Sequence, residues 1–405
     1  MDNKIKTALQ KEQQRQQDNI ELIASENYTS SAVRELQGSI LTNKYAEGYP
    51  GKRYYGGCEN VDTIENLAIE YACQLFHCQH ANVQPHSGSQ ANMEAYAALL
   101  NPGDRILSMD LSAGGHLSHS SPLSFISKTY DVYTYGVGEN GLIDYEAIEQ
   151  IAIDVQPKLI IAGASAYPRN IDFSKFRGIA DKVGAYLIVD MAHIAGLVAA
   201  GLHQNPCDYA DIVTSTVHKT LRGPRGGLIL WNNDKYTKAI NRSVFPTHQG
   251  GPLEHIIAAK AQCFYEALQP EFRDYQLQVL KNIRALAKQL QSKGIQVITG
   301  GTDNHLILVD IYNSLGITGK EAETILDKAH ITVNKNTIPG ETLSPMKASG
   351  IRIGSPAMTT RGFNEEDFKE TGDIIYNILT NKDNNDIIEQ ESKKVLRLTR
   401  KYPII

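Results

Sequence analysis

LIIAGASAYPRNIDFSKFRGIADKVGAYLIVD, Leu159 to Asp190, is the stretch that decides the fold. It opens on LIIAGA (159–164) and closes on AYLIVD (185–190), two continuous apolar runs, with the helical pattern FSKFRGIADKVG (173–184) between them. Strands apolar on both faces and separated by helices predict a mostly parallel sheet covered by helices on both sides. DIVTSTV (211–217) continues the pattern downstream, and RILSMD (105–110) and KTYDVYTYGV (128–137) continue it upstream. Ligands in such sheets sit at the carboxyl ends of strands. The segments just after Asp110, Ala164, Asp190 and Val217 are therefore the places to look.

Further out, VDTIENLAIEYACQLF (61–76) spaces Val61, Ile64, Ala68, Tyr71, Ala72 and Leu75 as one face of an amphipathic helix. SQANMEAYAALL (89–100) is a second helix, stopped by Asn101-Pro102-Gly103. Residues 251–293 are helical with a break near Gln269-Pro270 and link two domains. Beyond them lie the strand candidates QVITG (296–300), HLILVDI (305–311) and GIRIGSP (350–356). The last 40 residues are helical, and their basic end (Lys393, Lys394, Arg397, Arg400, Lys401) reads as a solvated helix face. The expected organisation is an N-terminal helical arm (1–30), a large α/β domain (31–275) and a smaller C-terminal α+β domain (276–405).

Composition excludes several function classes. Hydrophobic residues make up 41% and charged residues 21% of the 405, an ordinary soluble balance. Forty basic against 45 acidic residues leave none of the basic excess expected of a nucleic-acid or anionic-membrane binder. Five cysteines without a CxxC pair argue against a disulfide scaffold or zinc knuckle and for a reducing compartment. The polar N-terminus lacks the apolar core of a signal peptide, and its acidic residues argue against a transit peptide. The most membrane-like run, Ala185 to Leu202, carries Asp190 and His193 at its middle, so it reads as a buried strand plus a site loop.

Three features carry chemistry. In TSTVHKTLRGPRGGLIL (214–230) a strand runs into His218-Lys219 and a Gly/Arg loop. A lysine there is either a surface residue at a loop start or an amine poised to attack a carbonyl. Asp190, closing its strand, suits a metal, a ribose or a protonated ring nitrogen, and no further ligand set at metal spacing accompanies it. HSGSQAN (86–92) opens a helix with Ser87, Gly88 and Ser89, an ordinary cap or a phosphate cradle. Together, amine, acid and anion cradle describe a pyridoxal-phosphate site.

The chain resembles the serine hydroxymethyltransferases, fold-type-I pyridoxal-phosphate enzymes, from about Gln13 to Asn381. The resemblance is carried by ELIASENY (21–28), LTNKYAEGYPGKRYYGG (41–57), NVQPHSGSQAN (82–92), GGHLSH (114–119), VDMAHIAGLVAAG (189–201), HKTLRGPRGG (218–227), QGGPLEH (249–255), GGTDNHL (300–306), ITVNKN (331–336) and SGIRIG (349–354). It implies an aspartate aminotransferase-like fold with a mostly parallel seven-stranded sheet. It also implies transfer of the hydroxymethyl group of L-serine to tetrahydrofolate in a cytoplasmic homo-oligomer, at least a dimer, with shared sites.

In that resemblance Lys219 holds the cofactor covalently, Asp190 pairs with its ring nitrogen and His116 stacks on its face. Ser165 and His193 lie on the phenolic-oxygen side, and Ser87, Gly88 and Ser89 take the phosphate with Gly251 of a partner. Thr216 sits near the covalent link and His218 tunes specificity. Glu47, Tyr45 and Tyr55 come from the partner, with Glu47 as the acid–base carboxyl. Arg352, Ser25 and Tyr55 serve the amino acid. Leu111, Gly115, His116, Leu117, Asn336, Ser344, Pro345 and Met346, with Glu47, line the folate site. No metal is implied. Met346 departs from the phenylalanine common in bacterial members, and Val217 from a common threonine.

Three rival functions stay open on the residues. A folate-independent threonine aldolase-like lyase would share Lys219 and Asp190. A lysine aldolase without pyridoxal phosphate would leave the cradle unexplained. A catalytically silent binding homologue would be marked by loss of Lys219, Asp190 or Glu47, and all three are present.

Overall fold

The structure, a computed structural model, describes residues 1–404 and divides into two compact units. One unit comprises residues 29–165 and 170–276. Its centre is a seven-stranded sheet of β1 (His80–Asn82), β2 (Arg105–Met109), β3 (Asp131–Tyr135), β4 (Leu159–Ala162), β5 (Tyr186–Asp190), β6 (Ile212–Thr216) and β7 (Gly227–Trp231). The spatial order is β1-β7-β6-β5-β4-β2-β3. Strands β3, β2, β4, β5 and β6 pair in parallel, and β7 runs antiparallel to both β6 and β1. The sheet is thus mixed, with one reversed strand in a mostly parallel array.

Every residue of β4, β6 and β7 is buried, as continuous apolar runs require when helices cover both faces. Because alternate residues point to opposite faces, the strands feed two cores. Val213, Leu228 and Leu230 pack with Ala68, Ala72 and Phe76 of α1 (Glu59–Phe76). Ile161, Ile188, Ile212 and Ile229 pack with Ala91, Ala95 and Tyr96 of α2 (Gly88–Leu99). Each fully buried aliphatic side chain contributes roughly 1.5–3 kcal/mol relative to exposure.

Helix α3 (Phe173–Val183), which joins β4 to β5, shows how the local sequence sets its ends. Asp172 Oδ1 accepts the amides of Ser174 and Lys175 at 3.0 and 3.3 Å, and Gly184 ends the helix at φ 67°. The helical stretch expected over 251–293 is two helices, α4 (Glu254–Ala267) and Pro270–Ser292, with the expected break between them.

The other unit comprises residues 1–28, 166–169 and, of the described residues, 277–404. Its antiparallel sheet holds β8 (Gln296–Val297), β9 (Leu306–Asp310), β10 (Asn334–Asn336) and β11 (Gly350–Gly354) in the order β8-β9-β11-β10. The strand expected over QVITG stops at Val297, and the chain turns at Thr299 with φ 61°. The N-terminal helix also departs from expectation. It covers only Asn3–Asp18 and buries none of its residues. Ile20–Glu21 instead pairs in parallel with Ile331–Thr332, and Ile20 and Leu22 are fully buried beside Ile307, Ile351 and Ile353. A core with room for those side chains outweighs continuation of a polar helix.

At the other end, Glu365–Thr380 and Asn385–Lys401 are helices. Four basic residues of the last helix lie in ion pairs: Lys393 with Glu389, Lys394 with Glu391, Arg397 with Glu370 and Lys401 with Asp367. Among the described residues no helix is long and apolar enough to cross a membrane.

Candidate active site

Strands β2, β4, β5 and β6 run in the same direction, so the segments after Met109, Ala162, Asp190 and Thr216 leave the sheet at one edge. β1, opposed to β7 as β6 is, delivers the Ser87 segment to the same edge. The elements flagged in the sequence as chemical therefore converge by topology alone.

Asp190 ends β5. Its Oδ2 accepts from Asn92 Nδ2 at 2.8 Å and from His119 Nε2 at 2.9 Å, and its Oδ1 accepts the Ala192 amide at 3.0 Å. The backbone N–H of His116 donates to His119 Nδ1 at 3.4 Å, which assigns the His119 proton to Nε2, facing the acid. Asn92 is fixed in turn: its Oδ1 accepts from Thr214 Oγ1 at 2.5 Å and its amide also donates to Ser118 Oγ at 2.9 Å. Burial favours the neutral acid. The hydrogen bonds from His119 and Asn92, with the nearby imidazoles, outweigh it and hold Asp190 ionised well below the usual carboxylate range. Gly163, directly beside this strand end, has no room for a side chain: a Cβ there would lie 2.2 Å from the Asp190 carbonyl oxygen.

The anion cradle is the start of α2. Ser87 caps it, accepting the Gln90 amide at 3.2 Å, while Gly88 and Ser89 occupy the first turn, where backbone N–H groups have no partner within the helix. A Cβ at Gly88 would sit 2.4 Å from Thr216 Cγ2. The backbone of the cradle therefore rests on the strand that leads to Lys219. Thr216 Oγ1 is buried and has no hydrogen-bond partner among the described residues.

Lys219 lies three residues past β6 and is 7% exposed. The turn around it is tied on both sides. Arg222 N donates to the Lys219 carbonyl at 3.0 Å and Gly223 N to the Val217 carbonyl at 2.7 Å. Thr220 Oγ1 bridges the His193 carbonyl and the Gly196 amide at 2.8 and 2.9 Å, linking the Lys219 and Asp190 loops. His218 is partly buried. Burial first, then the charges of Arg225 and Lys219, push its pKa down to about 3, so the imidazole is neutral near pH 7. His116 caps its own short helix with Nδ1 2.7 Å from Ser118 Oγ, and Ser165 N donates to the Gly114 carbonyl at 2.8 Å. His116, Ser165, Leu111, Gly115 and Leu117 are thus parts of the same edge, with Leu117 exposed.

Tyr45, Glu47 and Tyr55 form a separate, open group. The two rings meet edge to face at 5.4 Å, and the charge of Glu47 raises the pKa of Tyr55. A Cβ at Gly250 would lie 3.2 Å from Glu47 Oε1, and one at Gly251 would lie 3.1 Å from the Tyr45 ring. Both tyrosines are about half exposed, an uncommon state for paired aromatics.

The remaining predicted residues belong to the smaller unit. Arg352 is on β11, its Nε 3.2 Å from Asn334 Oδ1, and burial lowers its pKa to about 10. Gly354, two residues on, takes Leu22 as backbone acceptor at 2.7 Å, and a Cβ there would lie 2.4 Å from Ala24 Cα. That close approach brings the Ser25 segment against the Arg352 strand. Asn336 ends β10 with its amide on the Thr337 carbonyl at 2.7 Å. Ser344, Pro345 and Met346 form an exposed turn, with Met346 76% accessible.

A family model described as serine hydroxymethyltransferase matches residues 1–375. The chain belongs to the serine hydroxymethyltransferase family. It is similar to a serine hydroxymethyltransferase of Lactobacillus acidophilus, 58% identical over 399 residues (98% of this chain, 97% of the relative). It is also 58% identical over 405 residues to one from Mycoplasma capricolum (100% and 98%), and 59% identical over 401 to one from Mycoplasma mycoides (99% and 97%).

Members of the serine hydroxymethyltransferase family use pyridoxal phosphate, and the donor set here fits that group. The helix start offers amides to a phosphate, the Thr216 hydroxyl has no hydrogen-bond partner among the described residues, and Asp190 is held ionised, as a counter-charge for a ring nitrogen must be. Sequence reasoning missed His119 and Asn92, the two groups that hold Asp190. Both lie inside quoted family motifs, His119 three residues after His116 and Asn92 one helical turn after Gly88. That spacing was the available signal.

Proposed function

We propose that this chain transfers the hydroxymethyl group of L-serine to tetrahydrofolate, reversibly, leaving glycine and 5,10-methylenetetrahydrofolate. The observation that carries the proposal is the pairing of Asp190 with His119 and Asn92 at the sheet edge that also carries Lys219 and the Ser87 cradle. Pyridoxal phosphate, when bound, supplies the electron sink that lets a bond at the amino acid's α carbon break.

The chain's own groups do the rest. The α2 amides with Ser87 and Ser89 bind the phosphate. Asp190, kept ionised by its two donors, holds a proton on the ring nitrogen. Lys219 would be the amine that holds the cofactor's aldehyde carbon, and its side chain would be free to exchange a proton at the substrate once the substrate amine is bound. His193 and Ser165 would hydrogen-bond the phenolic-oxygen side of the cofactor, and His116 would stack on its ring. His218, being neutral, adds no further positive charge beside Lys219. Arg352 takes the substrate carboxylate as a planar fork, with Ser25 beside it. Glu47 moves a proton at the serine hydroxyl oxygen. Leu111, Gly115, Leu117, Asn336, Ser344, Pro345 and Met346 line the folate.

The half-exposed Tyr45, Tyr55 and Glu47 group supports a shared site in which each chain lends these residues and Gly251 to a second copy. The setting is the cytoplasm, as the family's substrates and the five free cysteines suggest.

The test is a visible spectrum of the purified protein with pyridoxal phosphate, then with glycine, then with glycine and tetrahydrofolate. A yellow protein that develops a strong longer-wavelength band only with both ligands supports the proposal. A response to glycine that ignores folate would move the function to a folate-independent lyase. A protein that stays colourless, or retains no cofactor after borohydride treatment, would remove Lys219 from its role.

A further inference from the structure

Lys260 of α4 is 1% exposed, yet the mechanism leaves it without a task. Its Nζ lies 2.6 Å from the Val83 carbonyl, 3.0 Å from that of Pro85 and 2.8 Å from that of Gly227. Three carbonyls match the three protons of an ammonium group. They come from two places that matter. Val83 and Pro85 belong to the segment that delivers Ser87 and the start of α2. Gly227 begins β7 and stands directly opposite Thr216, the last residue of β6 before the Lys219 turn. The two pieces are in close contact: Gly227 N donates to the Pro85 carbonyl at 2.9 Å, and a Cβ at Gly227 would lie 2.3 Å from the Ser87 carbonyl oxygen. Gln249 completes the clamp, accepting the His86 amide at 2.9 Å and donating to the Gln84 carbonyl at 3.0 Å. Burial lowers the Lys260 pKa to about 7, with Glu94 and Glu65 opposing it, so the three carbonyl contacts are what favour the charged form here.

We propose that Lys260 is a positioning residue whose ammonium sets the spacing between the phosphate cradle at Ser87–Ser89 and the strand end that carries Lys219. This rests on the pyridoxal-phosphate function proposed above. A cofactor held at two points, its phosphate and its aldehyde carbon, gains from both only when the span is correct. Loosening the cradle should therefore weaken a ligand that bears the phosphate and spare one that lacks it.

The experiment compares Lys260→Met and Gly226→Ala with the parent chain. The second variant keeps the lysine but displaces its end, because a Cβ at residue 226 would lie 2.4 Å from Lys260 Cε and 3.1 Å from Nζ. Pyridoxal phosphate and unphosphorylated pyridoxal are each titrated by visible absorbance, with thermal unfolding of the cofactor-free protein followed in parallel. The expected result is a pyridoxal-phosphate dissociation constant raised about tenfold or more in both variants, with pyridoxal binding changed by less than about twofold. Unchanged pyridoxal-phosphate binding, or equal weakening of both ligands, would overturn the proposal. Should Lys260→Met fail to fold, Gly226→Ala decides alone. A parent chain that binds no pyridoxal phosphate would overturn the proposed function itself, and this proposal with it.

Discussion

Asp190 Oδ2 lies 2.9 Å from His119 Nε2, with both side chains withdrawn from solvent. Donation from His119 and Asn92, with the nearby imidazoles, holds the acid ionised against the cost of burial. His119→Ala leaves a buried carboxylate short of a partner, which costs about 3 kcal/mol. The sign follows from the depressed pKa: the stability contributed by ionised Asp190 is present above about pH 4, the unfolded value, and is lost as pH falls. The penalty of His119→Ala should therefore be large at pH 7 and shrink below pH 4. Urea unfolding at both pH values measures it.

Gly88 and Thr216 set the closest approach between cradle and strand. Gly88→Ala should cost about 1–3 kcal/mol of cofactor binding or stability, because its Cβ meets Thr216 Cγ2. Thr216→Ser removes that methyl while keeping the hydroxyl. The double variant should recover most of the lost pyridoxal-phosphate affinity. Equal affinity in the single and double variants would show that the contact does not govern the cradle.

His218 stays neutral in the folded chain down to about pH 3. Below pH 6.5 the unfolded chain binds a proton that the folded chain refuses, so stability falls as pH falls, by up to about 1.4 kcal/mol per pH unit. His218→Gln should flatten this acid limb and leave stability at pH 8 nearly unchanged. Denaturation midpoints at pH 5 and pH 8, compared with the parent, check the difference.

Glu47 raises the pKa of the Tyr55 phenol through its charge. Glu47→Gln should return that phenol toward the ordinary value near 10, visible in an ultraviolet titration. It should also slow folate-dependent transfer about 10²-fold or more while pyridoxal phosphate still binds. Loss of cofactor together with activity would mean that Glu47 supports the fold and not the proton transfer.

Much of this molecule is legible in one dimension. The doubly apolar runs 159–164, 185–190 and 211–217 specify a covered, mostly parallel sheet, because no one-sided sheet tolerates them. Lys219, Asp190 and Ser87–Ser89 stand out because strand ends and helix starts are local features, readable from neighbours in sequence. The partners of these groups are not local. His119 and Asn92 meet Asp190 across 71 and 98 residues of chain, and Lys260 reaches Val83 across 177. The fate of Ile20 and Leu22 likewise depended on a core assembled some 300 residues away, which ended a helix that local propensity would have extended. Sequence by itself determined which residue types were available for the chemistry and which elements would carry them. Only the tertiary structure decided which polar groups are desolvated together, because burial and hydrogen bonding set charge state, and both arise from contacts that no local pattern encodes.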